Sequence, residues 1–275
     1  MPESSPGALE GIVVLDLSRV LAGPFCTQIL ADLGAEVTKI EIPGKGDDSR
    51  AFGPLVNGES GYYMNINRNK KGVTLNLKGE GKELFREMVK KADVVVENYR
   101  PGVMDKLGLG YDELAAINPG IIYGCVSGFG HTGPYSQRPG YDLIGQASSG
   151  LMSPTGWPGG DPTPIGTAMA DTLARHSLTI GILAALQSRP TDGLGQKVDI
   201  GMMEAGAPIM PIIYPILTMG KNLPHRIGNR SDSNYPTDSF PSRAGMVVSH
   251  PATDKPSPGR CQAKSVHDAA GAHPP

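Results

Sequence analysis

Residues Ile12 to Leu17 read Ile-Val-Val-Leu-Asp-Leu, a continuous apolar run of the kind found in strands that are covered on both faces. A Gly23-Pro24 step and a helical pattern through Phe25, Ile29, Leu30 and Leu33 follow it, and then a second strand-like run from Val37 to Ile42. Strand, helix and strand within about thirty residues make a βαβ unit, the element from which parallel sheets are built. That single pattern excludes an all-helical or meandering antiparallel fold for this part of the chain.

The alternation continues. A strand is expected at Val73 to Leu77, a helix from Glu80 to Lys91 with Leu84, Phe85 and Val89 pointing inward, and strands at Val94 to Glu97 and Ile121 to Val126. Between Ser127 and Gly166 the chain turns rich in Gly, Pro, Ser and Tyr and loses its period, which reads as a long irregular and functional segment. A buried helix begins near Asp171, with Leu173, Leu178, Ile180, Ile182, Leu183 and Leu186 on its apolar positions. A short strand at Lys197 to Ile200 and an apolar helical run from Met202 to Met219 come next, and Pro208, Pro211 and Pro215 should kink or interrupt that run. The Pro-rich tail beyond about Arg243 has too few apolar residues to offset its ordering entropy and is expected to be disordered.

A length of 275 residues suits one large domain or a domain with an appendage, and 39% hydrophobic residues suffice for a core. The formal charge of -2 and the lack of a long basic run argue against nucleic acid or a membrane surface as partner. Cys26, Cys125 and Cys261 are far apart and form no CxxC pair, so neither a disulfide framework nor a zinc cage is expected. With no leader peptide and no apolar stretch long enough to span a bilayer, the chain reads as soluble and cytoplasmic.

Asp171 is the residue most in need of an explanation. It stands between the small-residue stretch Pro164 to Ala170 and an apolar helix. At a helix start an aspartate commonly caps free backbone N–H groups and is held ionised by the helix dipole. An ionised, reachable carboxylate in a small-residue pocket is also able to attack an activated acyl group.

Val14-Leu15-Asp16-Leu17-Ser18-Arg19-Val20-Leu21-Ala22-Gly23-Pro24, Leu33 to Glu41, Asn69-Lys70-Lys71, Ala92 to Gly102, Ser127-Gly128-Phe129-Gly130 and Gly193 to Asp199 follow one another along the chain. Together, by their order and spacing, these stretches resemble the class III (CaiB/BaiF-type) CoA-transferase family, from about Leu9 to about Arg243. The resemblance implies an α/β fold with a Rossmann-like large domain, a parallel-rich sheet flanked by helices, and a second small domain that is missing or incomplete here. Residues 1–230 would form the large domain, and residues 231–275 an inter-domain remnant with an atypical tail. It also implies an acyl-CoA:carboxylate CoA-transferase in which Asp171, before Gly181-Ile182-Leu183-Ala184-Ala185-Leu186, is the nucleophile. The implied partners are an acyl-CoA, a small carboxylic acid and a second copy of the chain in an interlocked homodimer. Coenzyme A is then a substrate moiety, with no tightly bound cofactor and no metal. By the same resemblance Lys39, Lys71, Asn98, Tyr99, Arg100 and Lys106 surround the nucleotide of CoA, while Tyr141, Asp142 and Gln146 line the acyl side.

Other readings compete. The 2-methylacyl-CoA racemases of the same family use a His in the segment that here reads Gly140-Tyr141-Asp142, and an unperturbed Tyr titrates far from neutral pH. His131 lies near, in a turn context that reads as a surface loop. Arg175, four residues after Asp171, is spaced to pair with it across one helical turn. The turn after Leu17 lacks the GxGxxG fingerprint of dinucleotide-binding oxidoreductases, and no GxSxG elbow supports a hydrolase. A chain cut short of the family's full length would instead be an inactive binding or dimerising module.

Overall fold

The apolar run at residues 12–17 forms β1 (Val13–Asp16), and the next pattern forms α1 (Ala22–Asp32) and β2 (Glu36–Glu41). The structure, a computed structural model, describes residues 6–231, 236–243 and 245–250. After β2 come a single 3-10 turn at Asp48–Ala51, a small hairpin of β3 (Leu55–Val56) and β4 (Glu59–Ser60), α2 (Gly61–Asn67) and β5 (Lys70–Thr74). Then follow α3 (Gly81–Val89), β6 (Val94–Glu97), α4 (Val103–Lys106), α5 (Tyr111–Ile117), β7 (Ile122–Ser127) and α6 (Asp142–Ser148). The last elements are α7 (Met169–Asp192), β8 (Lys197–Gly201), α8 (Met202–Gly206), α9 (Ile213–Thr218), β9 (Asp238–Ser242) and β10 (Gly245–Ser249).

Six strands form one sheet in the order β5-β2-β1-β6-β7-β8, and every pairing in it is parallel. The chain starts in the middle, builds outward to β5, then returns to the other side of β1, so the direction of winding reverses between β1 and β6. Alternate residues divide into two cores, as a period of two demands. Val14, Val37, Val94, Val96 and Ile122 meet α1 and the buried stripe Ala170, Ala174, Leu178, Ile182 and Ala185 of α7. Leu15, Ile40, Val95, Tyr123 and Cys125 face the other way, against Phe85 and Val89 of α3 and Leu114 of α5. The α/β expectation with a parallel sheet and flanking helices therefore holds.

Three local expectations are corrected and a fourth is met. The strand placed at Val73 to Leu77 lies at Lys70–Thr74. It is an edge strand with polar residues on both faces, and the apolar alternation that suggested it belongs to the exit, where Leu75 N still donates to Glu41 O at 2.9 Å before the Asn76 turn. The helices α4 and α5 are too short to show a period, and α6 is hidden inside the Gly- and Pro-rich stretch that was expected to be irregular throughout. The run from Met202 to Met219 is broken, as its prolines require, into α8, a 3-10 turn at Ala207–Ile209 and α9. Gly245–Ser249, expected to be disordered, pairs antiparallel with Asp238–Ser242, and the tail from residue 251 lies outside the described residues.

The described chain divides into two compact units. One holds the sheet and comprises the residues up to Gly150 together with Gly166–Met210; the other comprises Leu151–Ile165 and the residues from Pro211 onward. The second is tied within itself by Arg226 Nη1 donating to Ser153 O and Gly228 N to Gly156 O, both at 2.9 Å, and by the β9–β10 ladder.

One buried charge cluster fixes the sheet's switch point. Asp16, fully out of solvent at the end of β1, accepts from Ser18 N at 2.9 Å, from Thr27 Oγ1 at 2.6 Å, from the Ser18 hydroxyl, and from Lys70 Nζ at 3.0 Å. Lys70 Nζ also donates to Pro24 O and Asn67 Oδ1. Beside it Lys39 Nζ, equally buried, donates to Ser18 O at 2.8 Å and pairs with Asp47 at 3.0 Å. Burial alone would raise the Asp16 pKa, but Lys70, Lys39 and the two hydroxyls outweigh it and hold the carboxyl well below its ordinary 3.8. The stability it contributes is thus present above about pH 4 and is lost as acid approaches the depressed folded value. Asp16→Ala, which leaves buried ammonium groups without their counter-charge, should cost about 3–5 kcal/mol in urea denaturation at pH 7. A loss under about 1 kcal/mol would show that the cluster is not a keystone.

Candidate active site

A cleft of about 250 Å³ opens at the carboxyl ends of β1, β6 and β7. In doubly wound sheets this is where winding reverses and where loops from neighbouring strands splay apart to admit a ligand. Arg19 to Ala22 of the turn after β1 form one wall, Asn98 to Pro101 after β6 a second, and Val126 to Gly128 with Arg138 to Tyr141 a third. Asp48, Asp171 and Met202 complete the lining.

The walls are held by specific bonds. Asn98 clasps the β1 turn in both directions, accepting from Arg19 N and donating to Arg19 O, each at 2.7 Å. The Arg19 guanidinium lies 5.3 Å from the Tyr99 ring centroid and pairs with Asp48 at 3.1 Å. Val20 has φ of 67°, a left-handed conformation that β-branched residues rarely adopt, and its N–H donates to the buried Asp47 Oδ1 at 3.2 Å. Such strain costs on the order of 1–3 kcal/mol and persists only where the surroundings enforce it. On the third wall Gly128 and Gly140 cross so closely that a Cβ on either would stand 2.6 or 2.5 Å from the other's Cα. Only glycine permits that crossing.

Asp171 is the third residue of α7, half-buried on the cleft wall. It does not cap the helix. That role falls to Asp142 of α6, whose Oδ1 accepts from Ala170 N at 2.7 Å and Asp171 N at 3.3 Å while its Oδ2 accepts from Gln146 Nε2 at 2.7 Å. Asp171 is left with its own carboxylate directed elsewhere, receiving the Ala22 N–H from the β1 turn. Burial and then the Asp142 charge raise its pKa from 3.8 to about 6, with the Ala22 bond opposing them.

The structure brings Asn98, Tyr99, Arg100 and Tyr141 to the cleft together with Asp171. It leaves five other expected contacts outside the lining. Lys39 is sealed in the Asp47 pair, so the expected phosphate contact is corrected to a structural role. Lys71 is exposed on the sheet edge and pairs with Glu36 at 2.7 Å, Lys106 ends α4 on the surface, and Asp142 serves α7. Gln146 is buried behind Asp142. Arg175 does not pair with Asp171; its guanidinium carbon lies 3.3 Å from the Phe25 ring centroid, and Nη2 faces His176. His131, expected on the surface, is also corrected: its side chain is only 11% exposed and turns toward Glu97. Sequence reasoning missed Arg19 and Arg138 as cleft residues. Arg19 had a signal, since it follows the first strand of a βαβ unit, where ligands bind.

Among the described residues no helix is long and apolar enough to cross a membrane. The pattern of CoA-transferase family III matches residues 9–270. The chain is 46% identical to an acetyl-CoA:oxalate CoA-transferase of Acetobacter aceti and 42% identical to a human succinyl-CoA:glutarate CoA-transferase, in each case over 87% of its own residues. It spans 62% and 55% of those relatives' lengths. A crystal structure of a CaiB/BaiF family protein from Brucella suis superposes with a TM-score of 0.85 at 38% identity, covering 89% of this chain and 66% of that one.

Between its ordinary 3.8 and about 6, folded protein holds the Asp171 proton more tightly than unfolded chain does, so the ionised carboxylate opposes folding above about pH 6. After allowance for its partial exposure, that opposition is on the order of 1–2 kcal/mol. Asp171→Asn should therefore raise Tm at pH 8, with the gain shrinking as pH falls through 6 toward 4. A gain that does not vary with pH, or a loss, would contradict this account of the site.

Proposed function

This chain belongs to CoA-transferase family III, and we propose that its cleft moves CoA between carboxylic acids with Asp171 as the nucleophile. The observation that carries the proposal is a cleft-lining carboxyl whose pKa is raised to about 6, at the switch point of a parallel sheet. At pH 7 such a group is about nine-tenths ionised, yet more basic, and so a better nucleophile, than an ordinary aspartate.

In the proposed route the Asp171 carboxylate attacks the thioester carbonyl of an acyl-CoA. The carbon–sulfur bond breaks, giving an aspartyl mixed anhydride and CoA thiolate. The thiolate attacks the Asp171 carbonyl, releasing the donor acid and leaving an aspartyl-CoA thioester. The acceptor carboxylate then reverses the two steps. Arg100 and Arg138 make no ion pair with described residues, and with Arg19 they offer cations to the phosphates of CoA. The names of the relatives point to a short dicarboxylate as one of the acids. Exposed Leu143, Ile144 and Ile180 supply apolar surface for the homodimer that the resemblance implies, and free, buried Cys26 and Cys125 fit a cytoplasmic location. Tyr141, at the position of the racemase histidine, is 78% exposed and makes no hydrogen bond to Asp171, which favours transfer over racemisation.

Incubation with acetyl-, succinyl- and oxalyl-CoA followed by hydroxylamine trapping should give a hydroxamate on Asp171 by mass spectrometry, and Asp171→Ala should abolish both adduct and exchange. A folded protein that turns over without any adduct at residue 171 would refute the route. Activity should decline as pH falls through about 6. Asp142→Asn keeps an oxygen for the helix N–H groups but removes the charge that raises the Asp171 pKa, so it should move that acid limb to lower pH. An unmoved limb would remove Asp142 from the tuning.

A further inference from the structure

Beside the wall formed by Asn98 to Pro101, three side chains converge that the transfer chemistry does not use. Glu97, the last residue of β6, and its register partner Cys125 on β7 are both buried, and His131 enters from the loop after β7. One ligand atom of each lies within 4.8 Å of the other two. His131 Nε2 is shut off from solvent and makes no hydrogen bond among the described residues, although Glu97 Oε1 faces it at 3.6 Å. That gap is too wide for a hydrogen bond. Two ligands at about 2.0 Å from one tetrahedral ion stand roughly 3.3 Å apart, so the gap is close to the width of a bridged cation.

We propose that Glu97, Cys125 and His131 form a binding site for one divalent cation of borderline softness, with Zn²⁺ the best fit. A carboxylate, a thiolate and an imidazole are a zinc donor set, and the thiolate disfavours Mg²⁺ and Ca²⁺. Neighbours already orient the ligands, as outer-shell partners do. Tyr99 N donates to Glu97 Oε2 at 2.6 Å and Tyr123 Oη to Oε1 at 3.2 Å. Asp199 accepts the His131 backbone N–H through Oδ2 at 2.9 Å, which holds the loop that carries the imidazole, and lies with Oδ1 3.6 Å from Cys125 Sγ. Burial, then the charges of Glu97 and Asp199, push the Cys125 thiol far up, while burial pushes Glu97 up to about 7, with Asp105 adding to it. A bound dication reverses both effects and displaces the thiol proton to solvent, so affinity rises with pH.

Lys197 is the group that opposes the ion. Its Nζ stands 3.1 Å from His131 Nδ1, and its exposed side chain is free to swing into solvent when a cation binds. An ion here would tie the end of β6 to β7 and to the loop that follows it, bracing two cleft walls without touching Asp171.

The test uses the full chain, stripped of metal under reducing conditions and titrated with Co²⁺ as a spectroscopic probe. One ion per chain should bind, with a sulfur-to-cobalt charge-transfer band that Zn²⁺ displaces. Cys125→Ser should lose the band, whereas Lys197→Ala, which removes the competing cation, should bind Co²⁺ several-fold more tightly, each variant checked for folding by circular dichroism. Absence of saturable binding to folded protein, a band that survives Cys125→Ser, or weaker binding by Lys197→Ala would each overturn the proposal.

Discussion

Asp16 and Lys70 meet at 3.0 Å with both side chains out of solvent, and through them three strands and a helix start are fastened to one point. Lys70 comes from β5, Asp16 from β1, and Lys39, one residue-width away on β2, takes the Ser18 carbonyl and the Asp47 carboxylate. Two lysines and two aspartates balance in charge, which is what makes such burial tolerable. The turn that leaves this cluster is the one that carries Arg19, strained Val20 and Ala22 to the cleft. The polar cluster under the sheet's switch point and the geometry of the site are therefore one construction.

At the other end of that construction, Asp171 is set by opposed effects of which the raising ones prevail. Burial and the Asp142 charge push its proton affinity up, while the Ala22 N–H and the start of α7 favour the anion. The outcome near 6 leaves a carboxylate that is ionised in neutral solution but poorly solvated. Division of labour between two aspartates makes this possible: Asp142 satisfies the N–H groups of α7, so Asp171 is not consumed as a cap.

Much of this was legible from residue order alone. Runs buried on both faces, such as Val94 to Glu97, announced the parallel sheet, and Asp171 stood out as a charge at the start of an apolar helix. Edge strand β5 was misplaced because its residues carry no burial pattern, and α6 went unseen because seven residues amid glycine and proline show no period. Lys39 illustrates the harder limit. A lysine in a strand reads as solvated or ligand-binding, and only the register with Asp16 and the return of Asp47 reveal a buried pair. The turn of His131 toward Glu97 likewise depends on a pairing between strands that are distant in sequence.

The central claim is that CoA passes through the side chain of Asp171. It is tested most directly by running turnover with an acceptor acid labelled with ¹⁸O in its carboxylate and then weighing the peptide that contains residue 171. Attack of the acceptor on an aspartyl thioester, followed by thiolate attack on the acceptor's carbonyl, leaves one acceptor oxygen in the Asp171 carboxylate, so the peptide should gain one ¹⁸O in the first turnover and up to two as cycles repeat. Product formation with no label in that peptide would mean that CoA moves between acids without ever being carried by Asp171.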